Sequence, residues 1–268
     1  MDMRSKALLL AAVILLNLGV VQAEDELGVT LIVTYVSRYI DKGYDCYPEN
    51  HSGIQPGIDV DLYGTGFGFK VTDFRANGSN FENCEKIEYE AYYRNGFLED
   101  ENYATNYKIS WVYHSFPDQP KNLCNEQELE TTFWWPNILP GGLVPSYIAA
   151  LGWPSEGKAA NRNNGGWAHI FALSRDLTVE DFLPETTEQV FHLLAAVIYN
   201  DGIGPGCRGG GGASVDHDWS HALFGISTEF GISDNLTFAP GFYYQSSWDD
   251  SVNPQDEYWV SLNMSYKF

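Results

Sequence analysis

The sequence predicts an all-β protein, a transmembrane antiparallel up-and-down β-barrel of about 12 strands. Three observations predict this fold. Apolar and polar residues alternate along many short segments, long and short connections alternate along the chain, and the last segment is amphipathic and ends on Phe268. Alternation with a period of two is typical of strands with one apolar face. Long loops at one end and short turns at the other are typical of outer-membrane barrels.

The first 23 residues predict a signal peptide. Arg4 and Lys6 form a basic start, residues 7–18 are almost continuously apolar, and residues 21–23 (Val-Gln-Ala) match a small-x-small cleavage site. The apolar run is shorter than the ~20 residues that a membrane-spanning helix needs. We therefore expect cleavage after residue 23, export to the bacterial outer membrane, and one barrel domain over residues 24–268.

The composition agrees with a membrane barrel and argues against a nucleic-acid partner. The chain has 15 Phe, 17 Tyr, 8 Trp and 26 Gly, and its formal net charge is −21. Binding to phosphate backbones needs clustered Lys and Arg, whereas an acidic surface favours nearby cations. We therefore expect no nucleic-acid partner.

Twelve segments alternate in the way that strands do. They cover residues 27–40, 54–62, 67–72, 87–94, 103–116, 129–135, 143–151, 167–175, 190–199, 217–230, 236–245 and 258–268. In the last segment, alternate residues from Tyr258 to Phe268 are apolar and those between them are mostly polar. Residues 167–175 and 190–199 are more evenly apolar than the other segments, so the pattern leaves their facing open.

The connections between these segments differ in length. The long ones cover residues 41–53, 76–84, 117–125, 153–165, 201–216 and 247–255, and most of the others are short. The exception is 178–186, which contains Pro184. An even number of strands places both termini at the short-turn end. A β-sandwich would not need this asymmetry.

Four cysteines lie in four different long loops: Cys46, Cys84, Cys124 and Cys207. An even number of cysteines in an exported protein predicts two disulfides, with three possible pairings. We favour Cys46–Cys84 with Cys124–Cys207, because the first pair joins neighbouring loops. No C-x-x-C motif is present, no cysteine–histidine pair has zinc-site spacing, and no cofactor motif is present, so we assign neither a metal nor a cofactor.

The first hairpin resembles a known family. Residues 36–44 read Val-Ser-Arg-Tyr-Ile-Asp-Lys-Gly-Tyr and are similar to the Val-Ser-x-Tyr-x-x-Arg-Gly opening of the TorF-like porin family. Residues 54–62 resemble that family's second strand. Lys42 stands where the family has Arg, and the loop cysteines are an addition. The resemblance implies an outer-membrane barrel. Tyr266 and Phe268 fit the general outer-membrane pattern that the barrel-insertion machinery reads, so we expect that machinery and outer-membrane lipids as partners.

The period of two also predicts which charged side chains point into the barrel. These are Arg38, Asp59, Asp61, Lys70, Glu88, Glu90, Arg94, Lys108, Glu128, Glu130, Glu229 and Lys267. Acids exceed bases in this set. Because 12 strands lie between filled barrels of about 8 and open ones of about 16 to 18, we expect a narrow or partly closed pore. The predicted function is a porin or channel for small polar solutes with a mild cation preference.

Two alternatives stay open. Residues 216–221 contain two His, two Asp and a Ser, which invites a lipid-modifying enzyme of the outer membrane. However, Ser220 and His221 are neighbours, and neighbouring residues of a strand point to opposite faces. We therefore assign no catalytic residues and do not expect an enzyme. The other alternative is a structural barrel without transport.

Overall fold

Twelve antiparallel strands form a closed barrel in the computed structural model, which describes residues 26–49, 51–81, 84–156, 165–180, 182, 188–205 and 215–268. Each strand pairs with its neighbours along the chain, and pairing of the first strand with the last closes the sheet. This up-and-down connectivity confirms the predicted fold class. The predicted signal peptide and its cleavage site lie outside the described residues.

In chain order the elements are β1 Gly28–Val36, β2 Ile40–Asp41, β3 Tyr44–Asp45, β4 Gly53–Asp61, β5 Phe67–Ala76, β6 Lys86–Phe97, β7 Thr105–Ser115, α1 Lys121–Cys124, β8 Glu126–Trp134, β9 Leu143–Pro154, β10 Gly166–Glu180, β11 Glu188–Asp201, β12 His217–Thr228, β13 Phe230–Gly231, β14 Leu236–Ser247 and β15 Glu257–Lys267. The short strands β2 and β3 form a separate sheet, the two-residue strand β13 pairs with β14 in the wall, and one short helix completes the described elements. Within the described ranges, no helix is both long and apolar enough to cross a membrane.

The first predicted strand is too long. β1 ends at Val36, and residues 40–45 form a separate two-stranded hairpin, β2–β3. Lys42 and Gly43 form its turn with φ of 49° and 92°, and two successive positive φ angles are what a tight two-residue hairpin turn requires. The alternating pattern continues through residue 40, so it could not reveal the turn. β10 and β11 also extend several residues beyond the predicted segments toward the short-turn end.

The register fixes which side chains share a face, because directly opposed residues of antiparallel strands point the same way. The outer face is apolar. On β15 the exposed positions include Val260, Leu262 and Met264, whereas the polar positions between them, such as Asn263, point inward. Exposed apolar side chains continue around the barrel, for example Phe171 on β10 and Phe224 on β12. A lipid environment explains such a continuous apolar surface.

The described cysteines are all buried. Cys46 and Cys84 lie in one hydrophobic cluster with Val36, Tyr39, Tyr47 and Phe74, and Cys124 packs with Phe116. Cys207 lies outside the described residues. The two disulfides therefore stay predictions.

Candidate functional site

The inner faces of β4 to β8 form a charged wall. The register places Asp59 opposite Lys70, and Lys70 opposite Glu90. The same rows hold the other predicted inward charges of these strands: Asp61, Glu88, Arg94, Lys108, Glu128 and Glu130. The structure therefore brings these nine side chains onto one continuous inner surface, which we call the charged wall.

Ion pairs neutralise much of the charged wall. Arg94 lies 2.7 Å from Asp61, and the Lys108 Nζ lies 2.6 Å from Glu90 Oε1. Asp59 instead accepts a hydrogen bond from the Tyr92 hydroxyl at 2.8 Å. Among the described residues, Glu130 and Lys70 form no ion pair. Each such pair is neutral, so the field in the lumen comes mainly from the charges that form no ion pair.

The hairpin β2–β3 folds into the barrel and bonds to its inner surface. Lys42 Nζ lies 2.8 Å from Glu128 Oε2 on β8. Asp41 Oδ2 lies 2.8 Å from Lys86 Nζ on β6, and the same ammonium lies 2.6 Å from Glu88. The hairpin thus joins two strands of the charged wall through alternating charges.

His114 extends this network on β7. Its Nδ1 lies 3.1 Å from Glu88 Oε1 and its Nε2 lies 3.7 Å from Glu128 Oε2. Burial alone would lower the pKa of Lys42, but the Glu128 and Asp41 carboxylates hold that pKa above its usual value. The two carboxylates therefore favour the charged form of Lys42, which is the form that pairs with Glu128.

The opposite side of the barrel holds the hairpin through its backbone. The Gly43 carbonyl accepts hydrogen bonds from Gln245 Nε2 at 2.9 Å and from Asn253 Nδ2 at 3.2 Å. The Tyr44 hydroxyl donates to the carbonyl of Ile203 at 2.8 Å. Contacts with β6, β8 and β14 show that the hairpin crosses the barrel at its long-loop end, where it narrows the entrance.

A cavity of about 210 Å³ lies against the charged wall. Its lining includes Lys70, Glu88 and Glu90, together with Gln55 on β4 and Asn263 on β15. Glu88 also belongs to the network that holds the hairpin. The cavity therefore offers hydrogen-bond donors and acceptors, from charged and amide side chains, next to the hairpin β2–β3 that narrows the entrance.

Three predicted lumen residues lie away from this site. Arg38 forms an ion pair with Glu257 at the base of the first loop. Glu229 and Lys267 are exposed at the short-turn end. The alternation predicts that these three side chains point inward. They lie at or beyond the ends of the strands, so they do not line the site.

Sequence reasoning missed several members of the site. These are Asp41, Lys42, Lys86, Tyr92 and His114. The Asp-Lys-Gly sequence at residues 41–43 carries a usable signal, because glycine after a polar residue is common in two-residue hairpin turns. No local pattern places that hairpin inside a barrel.

The predicted facing of Ser220 and His221 is wrong. The pairing of β11 with β12 is Tyr199 with Trp219 and then Ile198 with His221, so Ser220 is an extra residue in a β-bulge. The bulge brings Ser220 Oγ to 2.9 Å from His221 Nδ1. Both side chains are buried, and the imidazole lies against Gly43 of the hairpin. A serine–histidine contact therefore exists, but it faces the barrel interior and is covered.

Comparisons with known proteins support the fold alone. No protein-family model and no curated protein matches the sequence, so the resemblance to TorF-like porins stays a prediction. Among solved structures, the KdgM porin is 10% identical, with 89% of this chain and 99% of that chain covered and a TM-score of 0.52. The NanC porin is 9% identical over 89% and 100%, with a TM-score of 0.52.

An outer-membrane channel from Pseudomonas putida F1 is 8% identical over 93% of this chain and 98% of that chain, with a TM-score of 0.53. At such low identity these matches concern architecture. They agree with the closed barrel fold. The chain is thus similar in fold to outer-membrane porins and channels.

Proposed function

We propose that this protein is an outer-membrane channel for small polar solutes with a mild preference for cations. The observation that supports this proposal is the charged wall beside a cavity of about 210 Å³, inside a closed barrel. Charged side chains inside a barrel compensate the loss of hydration of a polar solute, and acidic rings favour cations. The predicted signal peptide and the lipid-suited outer face support the outer membrane as its location.

The hairpin supports a narrow channel rather than a wide pore. Lys42 and Gly43 contact opposite sides of the inner surface. Solutes that enter from the long-loop end must pass beside the hairpin or displace it. We therefore expect a small conductance for the wild type and a larger one when the hairpin is loosened.

The cation preference rests on the acids that ion pairs do not neutralise. Asp59 bonds to a hydroxyl, and Glu130 lies on the neighbouring inner rows without an ion pair among the described residues. Lys70 opposes both in charge. The balance of these three groups is negative by one charge, which supports a mild preference rather than a strong one.

Planar-bilayer recording tests this proposal. Reversal potentials under a KCl gradient give the ratio of potassium to chloride permeability. A unit charge a few ångströms from an ion in water is worth about 1 kcal/mol, so Asp59→Asn and Glu130→Gln should each lower that ratio by up to about five-fold. Glu99→Gln is the matched control, because Glu99 is exposed in the turn between β6 and β7.

Two outcomes would reject the proposal. An unchanged reversal potential in both lumen variants would reject the cation preference. Absence of conductance from the wild type and from Lys42→Ala would reject the channel and favour a structural barrel.

The lipid-modifying enzyme has one observation in its favour, the contact between Ser220 and His221. Lipids contact the outer face, whereas this pair lies inside beneath Gly43. Purified protein mixed with labelled phospholipid should release no product. Release that Ser220→Ala abolishes would favour the enzyme.

A further inference from the structure

A second inner surface, mainly apolar, includes the two strands for which the sequence pattern did not predict the facing. The central parts of β9, β10 and β11 carry mainly apolar residues on both faces, and the polar residues of their inner faces include Ser146, Ser174 and the pair Asp176 and His192. Their outer faces carry residues such as Phe171, as a lipid environment requires. Their inner faces, together with that of β12, form what we call the apolar wall: Val144, Ile148, Ala150, Ala168, Ile170, Ala172, Leu194, Ala196, Ile198 and Leu223.

The register connects the two walls directly. Glu130 on β8 is opposite Ala150 on β9, and Thr132 is opposite Ile148. Ile148 is in turn opposite Ile170 on β10. Because opposed residues share a face, the inner face that carries the charges of β8 continues without a break into isoleucine and alanine.

Part of the apolar wall has a partner in the fold and part does not. Ala150 and Ala168 pack beneath Ile203 of the loop after β11. Ile148, Ile170, Ala172 and Leu194 keep partial exposure to the barrel interior. Lipid contact does not explain these inward side chains, and apolar surface left in water is unfavourable. An apolar part of a passing solute would cover them.

The charges on the β8 side of the apolar wall identify the other part of the solute. Glu130 borders the apolar wall. Its direct partner on β9 is Ala150, and Ile148 lies two residues from Ala150 on the same face. Arg94 and Lys108, the bases on the neighbouring rows, are each bound to a carboxylate. The group available at this border is therefore an acid, which complements a positive charge.

We propose that the lumen binds small organic cations with an apolar body, such as primary aromatic or branched aliphatic amines. This inference rests on the proposed channel function and names its solute class. The ammonium group would lie at Glu130, and the apolar body would lie on Ile148 and Ile170. A purely polar cation would satisfy the acid but leave the isoleucines exposed.

Three probes separate the two contributions. Phenethylammonium carries both features, phenylacetate has the same ring with a negative charge, and ethanolammonium has the positive charge without the ring. Block of the KCl current in planar bilayers gives a Kd for each probe. Calorimetry on the detergent-solubilised protein measures the same binding without current, so a barrel that does not conduct still tests the solute class.

We expect phenethylammonium to bind more tightly than either other probe. Ile170→Thr and Leu194→Thr should each weaken its binding roughly four-fold or more, because each removes apolar contact area. Leu193→Thr is the matched control, since Leu193 is the neighbour of Leu194 on β11 and points to the lipid. Folding of each variant is checked by the gel mobility of unboiled protein.

Equal affinity for the three probes would overturn the proposal, as would unchanged binding in Ile170→Thr and Leu194→Thr. Loss of conductance with intact calorimetric binding would reject the channel and retain the solute class. Conductance without a preference for phenethylammonium would retain the channel and reject the solute class.

Discussion

Gly43 is a position where both the backbone and the surroundings exclude a side chain. Its φ is 92°, and a Cβ atom there would lie 2.6 Å from Cε1 of His221 and 2.9 Å from Cγ1 of Val252. The absence of a side chain lets its carbonyl reach Gln245 and Asn253. The position of the hairpin inside the barrel therefore requires a glycine at residue 43.

Gly43→Val should displace the turn of the hairpin while the barrel stays closed. The new side chain would collide with the imidazole and would be strained at a positive φ. Lys42 would then become accessible, and trypsin should cut after it in the folded variant but not in the wild type. Gly141→Ala is the control, because Gly141 also has a positive φ, of 73°, but has nothing within 4 Å of the added Cβ. Protection of Lys42 in Gly43→Val would contradict this account.

Local pattern could predict some residues of the site and not others. Asp59, Lys70 and Glu90 follow the period of two within regular strands, so their inward facing could be read from the sequence. The bulge at Ser220 adds one residue and shifts the phase of β12, which no alternation count detects. Lys42 belongs to a loop, and its partner on β8 is 86 positions away in the chain, a contact that only the closed barrel creates.

At the scale of elements, the hairpin β2–β3 behaves as one unit fixed by two anchors. One anchor is the charge network of Asp41, Lys42, Lys86 and Glu128. The other is the set of hydrogen bonds at Gly43. Because the anchors lie on different sides of the barrel, loss of either should release the unit only in part.

The pair Lys42 and Glu128 provides a quantitative test of the first anchor. Removing one partner of a buried ion pair typically costs about 3–5 kcal/mol, because the other charge stays buried without compensation. Lys42→Met and Glu128→Gln should therefore each raise the channel conductance or its open probability. The double variant should show much less than the sum of the two effects, as partners in one interaction do. Additive effects in single-channel recordings would show that the two residues act separately.

The last strand is a second element with a role of its own. Tyr266 and Phe268 are 40% and 67% exposed on the outer face, and the Phe268 N–H donates to the Val29 carbonyl at 3.0 Å, beside the seam where β15 meets β1. Deleting Phe268, or Phe268→Asp, should lower the amount of folded protein in the outer membrane. An exposed charge at the lipid boundary is unfavourable. Phe268→Tyr is the control that keeps the aromatic ring. Wild-type levels of Phe268→Asp in membrane fractions would contradict the insertion signal.

At the scale of the whole molecule, closure of the sheet is the property that the sequence predicted best. The alternation and the unequal connections gave the strand number and the position of the termini, because both follow directly from a barrel in a bilayer. The sequence pattern could not predict which residues of β10 and β11 point inward, because both faces of these strands are mainly apolar and alternation does not distinguish them. The pairing of β8 with β9, and of β9 with β10, shows which of their residues point inward.

Closure also predicts how the purified protein behaves. Unboiled protein should migrate differently from boiled protein on denaturing gels, because a closed sheet has no edge strand at which unfolding can begin. Circular dichroism should show strand and little helix. The control is the boiled sample after refolding into detergent, which should regain the mobility of the unboiled protein. Identical migration before and after boiling would contradict a closed barrel.

The position of the hairpin has a consequence for the order of assembly. Gly43 is near the start of the chain, yet the side chains that hold its carbonyl come 202 and 210 positions later. The hairpin therefore cannot take its final place until β14 and the loop before β15 have been added. Each molecule therefore passes through a stage in which the wall is nearly complete and the hairpin is held by only one of its two anchors. Newly inserted barrels would then be transiently leaky, and a cell that makes them quickly would be briefly more permeable than one that has stopped.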